Sequence, residues 1–214
     1  MFVEIPKVLL ASIATDSDRM PKLYYHPIAI GRKFFWLRLR TIYSLMNKYV
    51  NDRNKCLDFG CGSGVFLPTL SGMFISVTGI DIEMEEAELI VDHYNLNNVQ
   101  LISGDINTTV LDESRFDAIS AADVLEHFKE LDAPVSQIYR WLKDDGILIT
   151  SLPTENLFTK CTRIIGRYEK PFDHYHTGEQ VEGCLQKNGF YRVKSIKVIS
   201  LFPLYLVSVW RKKI

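Results

Sequence analysis

The segment CLDFGCGSGVF, residues 56–66, sets Gly60, Gly62 and Gly64 on alternate positions behind an apolar run that contains Asp58. Glycine inside regular structure costs backbone entropy. Three of them so close together imply a turn whose backbone must approach a ligand without side chains in the way. A second apolar run, GIDI, places Asp81 at its end, 21 residues after Gly60. An acid at the end of a strand can accept hydrogen bonds from both hydroxyls of a ribose. The chemistry suggested is the binding of a nucleoside-like ligand. A dinucleotide fits this pattern in part, but its usual fingerprint is GxGxxG. Here Val65 stands at the last glycine position.

Those residues need elements to hold them. From Lys55 onward, strand-like and helix-like segments alternate. KCLDFG, ISVTGIDI, VQLISGDI, FDAISAAD and GILITSLP read as five strands. EMEEAELIVDHYNL has helical spacing, with acids in the first turn where a helix N-terminus favours them. ELDAPVSQIYRWLKDDG reads as a helix carrying Ile138, Trp141 and Leu142 and closed by Gly146. TGEQVEGCLQKNGF begins with a capping box, Thr177 with Gln180 three residues on. YRVKSIKVIS and LYLVSVWRKK follow as two strands with only Phe202 and Pro203 clearly between them, so they must pair antiparallel. Strand–helix alternation predicts an α/β fold. The expected form is a Rossmann-like, doubly wound, seven-stranded sheet, mostly parallel, with an antiparallel last strand and helices on both faces. Before Lys55, Phe35, Leu39, Ile42 and Leu45 share one helix face. No Pro/Gly/Ser linker separates that segment. One domain over 1–214 is expected, with 1–50 as a helical cover and 51–214 as the core.

At 214 residues, with 47% hydrophobic and 24% charged residues, the chain can bury a full apolar core without staples. A net charge of −1 gives no general argument for nucleic acid or membrane. Cys56, Cys61, Cys161 and Cys184 form no CxxC pair and read as reduced thiols of a cytoplasmic protein. The first twenty residues do not read as a secretory leader, because Glu4 and Lys7 interrupt the apolar stretch. ISLFPLYLVSVW, 199–210, is too short to span a bilayer.

LDFGCGSG, GIDIE, SGDI, FDAISAADVLEHF and LKDDGILITSLP, in this order, resemble the successive motifs of class I S-adenosylmethionine-dependent methyltransferases. FDAISAADVLEHF is similar to the small-molecule branch, and the ubiquinone-type O-methyltransferases look nearest. The resemblance covers about residues 40–214. It implies S-adenosyl-L-methionine as cofactor. It puts Gly60, Cys61, Gly62 and Gly64 beside the methionine moiety, with Asp58 holding the loop. It puts Asp81 and Ile82 at the ribose, Asp105 and Ile106 at the adenine, and Ala122 at the methionine part. An arginine upstream of the first motif meets the cofactor carboxylate in that branch. Arg40 matches by spacing, with Arg38 the other candidate.

Methyl transfer to a hydroxyl also requires loss of a proton, for which histidine is the usual base. His127, in LEHF, is expected to open the helix after the fourth strand as a base or acceptor-orienting group; a helix-end residue without chemical role is the plainer alternative. Glu126 beside it reads as a solvated or structural acid. Asp173, His174, Tyr175 and His176 lie after the fifth strand, where this fold puts acceptor contacts. His174 and His176 are the other catalytic candidates. His-x-His with an acid could ligate a metal, but a loop with a helix cap is favoured, and no metal is expected.

AADV stands where amino-directed nucleic-acid methyltransferases carry Asn-Pro-Pro-Tyr, and there is no basic RNA-binding module. The expected reaction is methylation of a small molecule, oxygen favoured. N-methylation of a protein or nucleic acid is the alternative, and a non-catalytic cofactor-binding scaffold the alternative of another class. Arg32, Lys33, Arg38 and Arg40, with Phe34, Phe35 and Trp36 between them, could meet an anionic membrane surface or a phosphorylated lipid-like acceptor. Packing of the aromatics on the sheet is the favoured reading.

Overall fold

The computed structural model describes residues 1–14, 24–25, 29–106, 108–154, 174–199 and 204–213. Cys161, Asp173, Phe202 and Pro203 lie outside them, as does the side chain of Phe34. Strands β1 (Lys55–Phe59), β2 (Ser76–Asp81), β3 (Val99–Ser103), β4 (Phe116–Ala122), β5 (Leu142–Pro153), β6 (Phe190–Val198) and β7 (Tyr205–Lys212) form one sheet of order β3-β2-β1-β4-β5-β7-β6. β7 runs antiparallel to both β5 and β6, while the other pairs are parallel. Strand order reverses between β1 and β4, so the carboxyl ends of these two strands flank the crevice where such sheets take ligands.

Both faces of the sheet are buried, and strand alternation sorts their residues. Cys56, Ala118, Ile147, Ile149, Val207 and Val209 face one core. Leu57, Phe59, Ile119, Leu148 and Trp210 face the other. The first core is closed by α1 (Lys7–Ile13), α2 (Ala29–Tyr49), α3 (Leu67–Ser71) and α4 (Glu85–His93). The second is closed by α5 (Asp132–Trp141) and α6 (Gly178–Lys187). Phe35, Leu39, Ile42 and Leu45 of α2 are all buried, as their spacing predicts, and Trp36 joins them. Ile5 and Leu10 enter the same core as the sheet. At the start of α6, Gln180 N donates to Thr177 Oγ1 at 3.3 Å and Thr177 N donates to Gln180 Oε1 at 2.8 Å, completing the capping box.

Two expected boundaries are displaced. Gly146 does not close a helix: α5 ends at Trp141, and β5 begins at Leu142. Phe116 pairs with Leu142 but Ala118 pairs with Ile147, so residues 143–146 bulge out of β5. A Cβ on Gly146 would come within 2.7 Å of Leu142, which is why this tight bulge takes glycine. His127 does not open a long helix either. Leu125–His127 is a short 3₁₀ turn, and α5 starts only at Asp132.

Candidate active site

At the ends of β1 and β2 the chain turns through Gly60, Gly62 and Gly64, with φ of 72°, 51° and 76°. These are left-handed conformations that side chains disfavour. Space adds to the demand. A Cβ on Gly60 would lie 2.2 Å from Val124 Cγ2, and one on Gly64 would lie 2.9 Å from the Ala87 backbone. Backbone handedness and packing against neighbouring segments of the chain therefore require glycine at these two positions, whether or not a ligand approaches the turn.

The turn is tied to β2. Gly60 and Cys61 N–H both donate to the Ile80 carbonyl, at 2.9 and 3.0 Å. Gly62 N–H donates to Asp81 Oδ2 and Ile82 N–H to Asp81 Oδ1, each at 2.8 Å. Asp81 is thus fixed at the sheet edge with one backbone donor on each oxygen. Each oxygen keeps further acceptor capacity, which suits a pair of neighbouring hydroxyls. Asp58 lies behind it, buried. Burial pushes its carboxyl up to about 7; the nearby Ser120 hydroxyl opposes this, Asp81 adds to it, and Arg38 opposes it. Burial likewise pushes the Cys56 and Cys61 thiols well above their usual range, so neither is a ready nucleophile.

At the ends of β4 and β5 the groups are side chains from distant segments. Asp123 follows β4 with φ of 52°, and its N–H donates to the Ser151 carbonyl of β5 at 2.9 Å. Its carboxylate pairs with Arg38 of α2. Arg38 is buried, donates to Tyr24 Oη at 2.8 Å, and lies over the rings of Phe35 and Tyr205 at 4.3 and 5.1 Å. Three residues further on, Glu126 is fully buried, not solvated. Its carbonyl accepts from the N–H groups of Tyr175 and His176, at 2.9 and 3.4 Å. That pins residues 175 and 176 against the 3₁₀ turn, and the His127 and His174 rings stand edge to face, 4.5 Å apart.

The methyltransferase-domain family profile matches residues 32–197, most of the chain, from within α2 into β6. The chain belongs to the class I S-adenosylmethionine-dependent methyltransferases. It is 34% identical over 104 residues to (S)-coclaurine N-methyltransferase of Papaver somniferum, covering 46% of this chain and 29% of that one. It is 28% identical over 116 residues to the ubiquinone biosynthesis O-methyltransferase of Glaesserella parasuis serovar 5 (strain SH0165), covering 48% and 49%. The chain thus spans about half or less of the length of these curated relatives. Its fold is similar to that of magnesium protoporphyrin IX methyltransferase from Synechocystis PCC 6803, with a TM-score of 0.72 at 19% identity, covering 96% and 98%.

In this methyltransferase fold the glycine turn, Asp58, Asp81 and Ile82 come together at the ends of β1 and β2. Asp105 lies just beyond β3, exposed, its carbonyl accepting from Thr108 and Thr109 N–H at 3.0 Å each; Ile106 is buried beside it. Ala122 ends β4. Arg40 is not brought to the crevice. Its guanidinium pairs with Glu4 at 2.7 Å and lies over Phe2. Residues two apart on a helix are turned about 200° from each other, so only one of Arg38 and Arg40 can face the strand ends, and it is Arg38. His127 and His174 are brought together, whereas His176 Nε2 lies 3.1 Å from the Lys129 carbonyl. The pairing of Asp123 with Arg38 and the burial of Glu126 escaped the sequence reading. The acids of DVLEH were visible, but their partners are remote in sequence. Among the described residues, no helix is long and apolar enough to cross a membrane.

Proposed function

We propose that the protein transfers a methyl group from S-adenosyl-L-methionine to a small-molecule acceptor, with oxygen the favoured acceptor atom. The observation that carries this is Asp81, fixed by Gly62 and Ile82 N–H at the end of β2 as a paired acceptor for two hydroxyls. S-adenosylmethionine supplies a methyl group already activated on a sulfonium. Asp81 would accept from its ribose hydroxyls, and the backbone of Gly60, Cys61, Gly62 and Gly64 would line the methionine part with Ala122. Ile82 would meet the ribose; Asp105 and Ile106 would flank the adenine. Arg38 is the better-placed cation for the carboxylate, since α2 turns it toward Asp123 at the end of β4 and turns Arg40 away toward Glu4. Asp58, next to a cationic ligand, would be held ionised.

The chain's task on the acceptor side is to hold a nucleophile in line with the methyl carbon. His127 and His174 are assigned to that side, and His176 to anchoring their loop. The acceptor's lone pair forms the new bond, the carbon–sulfur bond breaks onto sulfur, and a hydroxyl acceptor releases its proton. The relatives include both an O- and an N-methyltransferase, which keeps a nitrogen acceptor as the second reading. Residues 1–50 are assigned as a cover of the core, tied to the acceptor end by Arg38. A membrane contact through this segment would draw on exposed residues such as Lys33, Leu37 and Arg40, since Phe35, Trp36 and Arg38 are committed to the interior. We place the protein in the cytoplasm on the strength of Cys56, Cys61 and Cys184, all free thiols.

Calorimetry with S-adenosylmethionine, S-adenosylhomocysteine and NAD tests the cofactor, and mass spectrometry of methylated products from mixed phenol and amine acceptors tests the atom. Binding of NAD alone would overturn the reading.

A further inference from the structure

We propose that Glu126, His127 and His174 form a binding site for a divalent first-row cation, best matched by Zn²⁺, on the acceptor side of the crevice. One ligand atom from each residue lies within 4.8 Å of the other two. Zinc takes imidazole nitrogen and carboxylate oxygen at about 2.0–2.2 Å, so small side-chain rotations bring these three onto one ion. Two imidazoles and one carboxylate suit zinc and its first-row neighbours better than magnesium or calcium, which favour all-oxygen ligation.

The backbone supports the arrangement. His127 N–H closes the 3₁₀ turn on the Val124 carbonyl at 3.1 Å, next to Glu126. The His174 loop is held there by two N–H groups donating to the Glu126 carbonyl. Glu126 is fully buried, whereas both histidines are half-buried, so the site has a closed back and an accessible front. Three protein ligands with an accessible fourth position is the arrangement that distinguishes catalytic from structural zinc.

The fourth position would take the acceptor's oxygen; this part rests on the methyl-transfer reading above. An ion there lowers the pKa of a bound hydroxyl. Its proton passes to water, the oxygen lone pair forms the bond to the methyl carbon, and the carbon–sulfur bond breaks onto sulfur. Nothing is oxidised or reduced. His127 then acts as a ligand, not as a base, and the acceptor class is one with a hydroxyl able to bind a metal.

The test uses the full chain, stripped with a chelator and titrated with Zn²⁺ by calorimetry, with Co²⁺ absorption as a second readout of ligand type. One Zn²⁺ per chain is expected. His174→Ala and, separately, His127→Gln should weaken it by well over about 100-fold, beyond the 10–100-fold typical of losing a mere supporting partner. His93→Ala, at the end of α4 and outside this cluster, should leave it unchanged. Thermal melting of each variant checks that it is folded, and the two half-buried histidines keep the test open should Glu126→Gln fail to fold. No saturable Zn²⁺ binding, or binding that neither histidine variant weakens, overturns the proposal. S-adenosylhomocysteine titrated into the same stripped sample separates the two readings. Retained nucleoside binding without a zinc site sinks only the metal, and a zinc site without nucleoside binding sinks the methyltransferase reading instead.

Discussion

The two halves of the crevice are built by different means. At the ends of β1 and β2, the groups come from 58–64 and 81–82, and backbone N–H does much of the holding. At the ends of β4 and β5, Arg38, Asp123, Glu126, His127 and His174 are brought together from three remote segments. The first half depends on conformation that glycine alone adopts easily. The second depends on packing between α2, the 3₁₀ turn and the loop after β5. A half built from local backbone can be read in a short motif; a half built from side chains across the fold can vary its partners without disturbing the first. That division suits an enzyme class whose cofactor is shared and whose acceptors differ.

The largest effect that would sharpen this contrast is electrostatic. The Asp58 carboxyl, held up near 7 in the folded protein, has an ordinary value of 3.8. Because the folded pKa is raised, the folded state binds the extra proton. Stability in the absence of ligand should therefore fall as pH rises from about 4 to 7, and then level off. The span is on the order of 4 kcal/mol, from about 1.4 kcal/mol per unit. Asp58→Asn should flatten that slope. Thermal melts from pH 4 to 8 of both proteins check this, and equal slopes would show that Asp58 is not buried as described.

Next in size is Gly60→Ala. It combines a left-handed φ with a 2.2 Å approach to Val124, which belongs to the other half. A loss of about 3 kcal/mol is expected, from strain and overpacking together. In a chain of this size that lowers Tm by roughly 6–12 °C. Adding Val124→Ala should recover only part of it, because the backbone strain stays. Full recovery would mean that contact alone, not handedness, demands glycine.

Asp81→Asn is smaller. An amide cannot accept at both ends, so one backbone N–H and one ligand hydroxyl lose a partner. At roughly 0.5–1.5 kcal/mol per lost bond, and more when the partner is left unsatisfied, affinity for S-adenosylhomocysteine should fall by about 10–100-fold. Unchanged affinity by calorimetry would move the ribose elsewhere. The smallest expected effect is the one that breaks the comparison if it fails. His174→Ala should leave S-adenosylhomocysteine affinity within about twofold, since His174 is assigned to the acceptor and to none of the cofactor contacts. A large loss would show that the two halves are coupled.

The seven strands, their antiparallel end and the buried face of α2 were legible in sequence because they follow from periodicity, and periodicity is a property of the chain itself. Gly60, Gly62, Gly64 and Asp81 were legible for the same reason: the turn and the acid that grips it are joined by one strand–helix unit. Gly146 misled because glycine marks a bulge as readily as a helix end, and only pairing with β4 separates them. Which of Arg38 and Arg40 faces the crevice was settled by the rotation of α2 on the sheet, where Arg38 meets Asp123 and Arg40 meets Glu4. The juxtaposition of Glu126 and His127 with His174 was settled by two backbone hydrogen bonds between segments far apart in the chain. The local pattern determined the half at the ends of β1 and β2, because its parts are neighbours in one strand–helix unit. The half at the ends of β4 and β5 was decided by tertiary structure, because its parts become neighbours only when separate elements pack.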